Sequence, residues 1–135
     1  MFAIISIISV IAYISIDTYS YKRTKELKFI KSSIRELQID SIGNNNYPRI
    51  ILLGNKYIKT NIDGVVFEKI LPENWTLYEE HNKYYIRFNQ NGHPCSGYSL
   101  ILNTTKERLR ITIRPCTGKI TVYTEEDKYE NLQSY

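Results

Sequence analysis

Residues 98–123, YSLILNTTKERLRITIRPCTGKITVY, decide the fold. Apolar and polar residues alternate in three short runs, separated by the turn-forming stretches TTKE (104–107) and PCTG (115–118), which predicts an antiparallel meander. Closing both turns as four-residue loops fixes the register, because a slip of one residue would turn every apolar side chain outward. Leu102 then faces Leu109, Leu100 faces Ile111 and Tyr98 faces Ile113, while Ser99 faces Thr112 on the opposite side. In the second hairpin Ile111 faces Val122 and Ile113 faces Ile120. One face carries Tyr98, Leu100, Leu102, Leu109, Ile111, Ile113, Ile120 and Val122; the other carries Arg110, Thr112, Arg114 and Thr121, with Ile101 as the exception. Such a half-buried sheet needs a cover layer.

A cover is found upstream. Leu27, Ile30, Ile34 and Leu37 recur at the steps of three and four that mark one helix face, whereas Lys22, Arg23, Lys25, Lys28, Lys31 and Arg35 fill the other faces. Phe29 is the large apolar residue off this stripe. Residues 1–42 contain no Gly or Pro, and Gly43, three asparagines and Pro48 supply the stop. One helix of about 40 residues, roughly 60 Å long, is predicted. Its amphipathic half is expected to lay Leu27, Ile30, Ile34 and Leu37 on the apolar face of the meander.

The first half of that helix is different in kind. Residues 1–16, MFAIISIISVIAYISI, hold no Asp, Glu, Lys or Arg, so the 18 basic and 14 acidic residues, net +4, all lie beyond them. A hydrophobic content of 42% with 13% aromatics argues against disorder. An uncharged opening with no polar face argues against a wholly soluble chain. Sixteen helical residues span about 24 Å, short of a hydrocarbon core of about 30 Å. A signal peptide needs a basic segment before the apolar run and a small-residue cleavage site after it, and neither flanks this one. We read a membrane helix whose beginning lies upstream of Met1, ahead of a signal peptide and of a buried core helix. The expected organisation is a transmembrane or fibre-core half at 1–16, an amphipathic half at 17–42 and an antiparallel β domain at 43–135.

Before the meander, runs 49–53 and 57–62 flank Gly54-Asn55, and Asp63-Gly64 precedes 65–70. Runs 75–79 and 84–88 flank a four-residue loop containing His81, and residues 90–94, QNGHP, form an irregular turn. Extending the meander register beyond its strand ends sets Cys95 opposite Cys116, where facing Cα atoms lie about 4.5–5.5 Å apart. That separation suits a disulfide. We read a Cys95–Cys116 bridge ahead of two free thiols, and with it an oxidising compartment outside the cytosol. A zinc site that would add His81 and His93 lacks the C-x-x-C spacing.

A lone apolar N-terminal helix, an amphipathic continuation and an antiparallel sheet together resemble a type IV pilin or pseudopilin. More specifically, IRFNQNGHPCSGYSLIL (86–102) followed by LRITIRPCTGKITVY (109–123) is similar to the C-terminal signature of H-type minor pseudopilins and competence minor pilins. The matching positions are Ile86 and Phe88 in an I-x-F strand, Asn91 and Gly92 in the turn, and Thr117, Gly118, Lys119 and Ile120 in a T-G-[KR]-[IV] corner. The resemblance implies an α+β fold and a structural subunit of a type IV pilus-like filament, serving either type II protein secretion or competence DNA uptake. It implies other pilin or pseudopilin subunits, the cytoplasmic membrane and the assembly machinery as partners, and no cofactor. It also implies an extracytoplasmic C-terminal domain, although the basic residues from Lys22 to Arg35, read alone, would draw that side inward. The basic leader, the cleavage-site glycine and the Phe and Glu that follow it in the family are not among these residues. The positions of prepilin peptidase cleavage and N-terminal methylation are therefore expected outside this sequence. The rival reading is a membrane-anchored extracytoplasmic binding domain that does not polymerise.

Chemistry is not expected. His81 and His93 fall in predicted turns, and no G-x-S-x-G, H-E-x-x-H or phosphate-binding glycine loop occurs. No catalytic or metal-binding residue is assigned. Asp17, at the edge of the apolar run, is read equally as an interfacial residue or as an inter-subunit contact. Lys106, Arg108, Arg110, Arg114 and Lys119 lie on or near one sheet face, and the chain has 12 tyrosines. A basic face with aromatics binds nucleic acid without reading sequence, and DNA would be its ligand in a competence pilus. A solvated strand face is the preferred reading, because the charge excess is mild and residues 125–135 set four acids against Lys128 alone.

Overall fold

The computed structural model describes the backbone of residues 2–43 and 45–124, and the side chains of residues 18–43 and 45–124. Helix α1 runs unbroken from Phe2 to Ser41. It stops where Gly43 takes φ 66°, a left-handed conformation that ends helices and that a residue without Cβ adopts freely. The Gly43 N–H then donates to the Gln90 carbonyl at 3.1 Å. Among the described residues, no helix is long and apolar enough to cross a membrane. The side chains of residues 1–16, on which the expectation of a membrane-spanning half rests, lie outside the described ones, as does that of Asp17.

The chain divides into two compact units, Met1–Ser33 and Ile34–Tyr135. The division falls inside α1, so the last turns of the helix belong to the unit that holds the strands. In the first unit Lys22, Lys25, Lys28 and Lys31 are exposed, Leu27 is half-buried and Ile30 is buried. The Ser33 hydroxyl donates back to the Phe29 carbonyl at 2.8 Å, a bond that satisfies a serine inside a helix.

The second unit adds eight strands in two four-stranded antiparallel sheets. In chain order they are β1 (Arg49–Leu52), β2 (Lys56–Asn61), β3 (Gly64–Ile70), β4 (Thr76–Glu79), β5 (Tyr85–Ile86), β6 (Tyr98–Asn103), β7 (Arg108–Ile113) and β8 (Ile120–Thr124). One sheet has the order β3-β2-β1-β5 and the other β4-β6-β7-β8. The β6-β7-β8 register is the one read from the sequence, with Leu100 opposite Ile111, Leu102 opposite Leu109 and Ile111 opposite Val122. Its apolar face forms the core, where Leu100, Leu102, Leu109 and Ile111 have no exposure. Ile34 and Leu37, from the helix end, are buried in the same unit.

Residues 76–79 and 85–86, on either side of the His81 loop, do not pair with each other. β4 joins β6 and β5 joins β1, so the chain crosses between sheets there. The buried Glu79 carboxylate sets that crossing, accepting from the His81 N–H at 2.7 Å and the Lys83 N–H at 3.3 Å. A bridge between Gly54 and Leu77 links the two sheets again, through the Leu77 N–H and the Gly54 carbonyl at 2.8 Å.

Candidate functional site

Two of the residues that matched the sequence signature, Gly92 and Gly118, meet the end of the helix. Gly92 and Gly118 both have positive φ, 81° and 69°, and both lie against α1. A Cβ on Gly92 would come within 3.0 Å of Ile42 Cγ1, and one on Gly118 within 3.0 Å of Gln38 Nε2. Gln38 Nε2 donates to the Gly92 carbonyl at 2.8 Å. The N-G turn and the T-G corner are thus two loops docked on one glutamine, and positive φ together with the close Cβ approach favours glycine in both places.

A second tie was not legible as such. Lys59 lies on β2 at the inward phase shared with Tyr57, and its side chain is only 3% exposed. Its ammonium donates to Glu36 at 3.1 Å and to Asp40, carboxylates one helical turn apart on α1. Burial alone would lower the Lys59 pKa, but the hydrogen bonds and charges of Asp40 and Glu36 outweigh it and hold the group above its ordinary value. The available signal was an inward-phase lysine in one strand combined with an i, i+4 acid pair on the helix.

The two cysteines are both free and exposed, so the bridge expected from the register is not made. The chain leaves that register at both ends. Pro94 bridges to Phe88 and the Cys95 N–H donates to the Arg87 carbonyl at 3.0 Å, which draws Cys95 towards β5. Cys116 is carried in a turn closed by bonds from Gly118 N–H to Arg114 C=O and from Arg114 N–H to Lys119 C=O. His93 links the two loops, its Nδ1 lying 2.9 Å from the Cys116 carbonyl. His81 sits beside Glu79, Nδ1 to Oε1 3.1 Å. Among the described residues no cluster of three His, Cys, Asp or Glu is placed to hold a metal.

The basic residues of β7 and its turns do not form one continuous face. Arg110 is buried and gripped by Glu80 through two hydrogen bonds, the Nη2–Oε1 one at 2.9 Å. Lys106 and Arg108 have partners within the chain. Arg114 and Lys119 stand exposed at the opposite end of the strand.

One long helix whose last turns are tied into antiparallel sheets is a pilin-like α+β fold. Two crystal structures of the type IV minor pilin FimU from Pseudomonas aeruginosa (strain PAO1) share it. In the P65 form the TM-score is 0.57 at 11% identity, covering 73% of this chain and 90% of that one. In the P21 form it is 0.59 at 11% identity, covering 78% and 94%. No family model matches the sequence, and no curated protein does.

Proposed function

We propose that this chain is a structural minor pilin or pseudopilin, a subunit of a type IV pilus-like filament. The observation that carries the reading is the 40-residue helix, uncharged from Phe2 to Ile16, whose far end is fixed to a β domain by Gln38 and Lys59. Before assembly the apolar half would sit in the cytoplasmic membrane, and afterwards in the filament core. Exposed apolar residues on the helix and just past its end support this: Phe29 at 40%, Ile39 at 68% and Ile42 at 56%. A helix with that much apolar surface left open is suited to packing against neighbouring subunits. The work is subunit packing, with other pilins and the assembly machinery as partners, in a secretion or DNA-uptake apparatus.

The test is fractionation of the source cells. Sheared surface filaments, or filaments raised by overexpressing the assembly genes, are expected to contain the chain by mass spectrometry, and Ile39→Glu is expected to remove it from them. A chain that stays wholly in the membrane fraction, with Ile39→Glu silent, would instead favour the non-polymerising binding domain.

A further inference from the structure

We propose that the outer face of the β3-β2-β1-β5 sheet, centred on Arg49, Tyr85 and Arg87, binds single-stranded nucleic acid. Strand alternation sends Ile50, Leu52, Tyr57 and Ile86 inward, which leaves Arg49, Tyr85 and Arg87 outward. Ile50 pairs with Ile86 and Ile51 with Tyr85, and Arg49 and Arg87, just beyond these pairs, line one cleft with Tyr47 and Tyr85.

No carboxylate of the described residues neutralises these two arginines. Arg49 reaches only the Thr60 hydroxyl, at 3.4 Å, and the Tyr85 ring, 5.8 Å to its centroid. Arg87 Nε reaches Cys95 Sγ at 3.4 Å. Neither has a carboxylate within ion-pair distance among the described residues. Two guanidinium groups lining one cleft, with no carboxylate beside them, favour an anion from outside the chain.

The surroundings indicate what kind. Three clefts share Arg87: one of about 280 Å³ between Tyr47, Arg49, Tyr85 and Arg87, one of about 440 Å³ reaching Lys83 and Tyr84, and one of about 210 Å³ between Tyr47 and Gln90. No Asp or Glu lines any of them. A row of joined clefts suits an extended chain better than a compact anion. Tyrosine rings flank the cations along the row, Tyr47 at 62% and Tyr84 at 68% exposure. Tyr47 is held at φ 49°, a conformation that bulky residues seldom adopt and that the following proline further disfavours. Phosphates on arginine and bases on tyrosine rings are the two halves of sequence-tolerant single-strand binding. A duplex keeps its bases stacked and offers the rings nothing.

This inference does not rest on the filament reading, since binding is measured on the isolated full chain in mild detergent. The probe is fluorescein-labelled dT20, followed by anisotropy across a salt series. Wild type is expected to bind dT20 more tightly than a duplex of equal length. Arg49→Gln with Arg87→Gln is expected to weaken binding at least tenfold, and to flatten the salt dependence of log K by about 0.7 for each phosphate no longer neutralised. Tyr85→Leu is expected to weaken dT20 while leaving polyglutamate binding unchanged. Arg114→Gln with Lys119→Gln, the same charge loss elsewhere, is expected to change nothing. Melting curves of each variant separate weakened binding from a damaged fold, and Arg49→Lys with Arg87→Lys is expected to retain most of the affinity. The proposal is overturned if wild type does not bind dT20, or if the two double glutamine variants behave alike. It is also overturned if polyglutamate binds as well as dT20 with Tyr85→Leu silent, which would make the face a docking site for an acidic peptide.

Discussion

Lys59 on β2 donates its ammonium to the Asp40 carboxylate on α1, and the two ends of this contact are unequally buried. The lysine side chain is 3% exposed and the aspartate 43%. Glu36, a turn earlier, is more open still and shares the same ammonium. All the risk of leaving a buried charge unpaired therefore falls on the lysine, and none on its partners.

That asymmetry fixes the direction of three substitutions. Glu36→Ala with Asp40→Ala strands a buried ammonium and is expected to cost about 3–5 kcal/mol. Either acid alone is expected to cost much less, because the other remains. Lys59→Met leaves two carboxylates that water already reaches, and is expected to come out near neutral. The pH dependence follows from the raised Lys59 pKa. A group whose folded pKa exceeds its unfolded value contributes stability that is full below the unfolded value, here 10.5, and is lost as pH rises through the folded one. Urea midpoints are expected to fall above about pH 10.5 in wild type and to lose that component in Lys59→Met.

Gly118→Ala is expected to destabilise the domain by more than the about 1 kcal/mol usual for a simple glycine effect. The new Cβ meets Gln38 Nε2 at 3.0 Å as well as a strained φ of 69°. Gln38→Ala removes the obstructing amide but also its bond to the Gly92 carbonyl. Thermal melts of the two single variants and the double variant are expected to be non-additive, with the double less destabilised than the sum. Strict additivity would mean that Gln38 does not brace the T-G corner.

How far the sequence carried is clearest in the meander. Its register was legible because alternating apolar residues on three adjacent strands admit one solution, and the turns between them are short. The stop at Gly43 was legible because nothing before it breaks a helix. The partner of β4 was not, since an expected loop of four residues says nothing about a buried Glu79 drawing the chain away from its neighbour. Arg110 was placed on the solvent face by alternation, yet Glu80, from outside the strand, covers it. The meeting of Arg49 and Arg87 at one cleft depends on β5 joining β1 across more than 30 residues of chain, which no local pattern encodes.

Cys95 and Cys116 are expected to react separately, giving two thiols per reduced chain with a chromogenic disulfide reagent. Their loops are already joined by His93. Incubation with a small-molecule disulfide is expected to leave each cysteine as its own mixed disulfide, because Cys95 is drawn towards Arg87 while Cys116 is held in a separate turn. Peptide masses after non-reducing digestion decide the matter. Two separately modified cysteines with no linked peptide would mean that the loops hold them apart.

The helix seam offers the sharpest comparison within one element. Ile34 is 2% exposed, in the unit that holds the sheets, and Lys31, less than a turn earlier, is exposed. Ile34→Asp places a carboxylate where no partner waits, and an unpaired buried charge is strongly unfavourable. That variant is expected to unfold the β domain, seen as loss of the near-ultraviolet signal from Trp75, which is itself buried at 3%. Lys31→Asp keeps the position in water and is expected to shift melting by no more than about 0.5 kcal/mol. Helix propensity separates the two little, since both introduce the same residue. If they melt alike, Ile34 is not a core residue and the helix end is held by Gln38 and Lys59 alone.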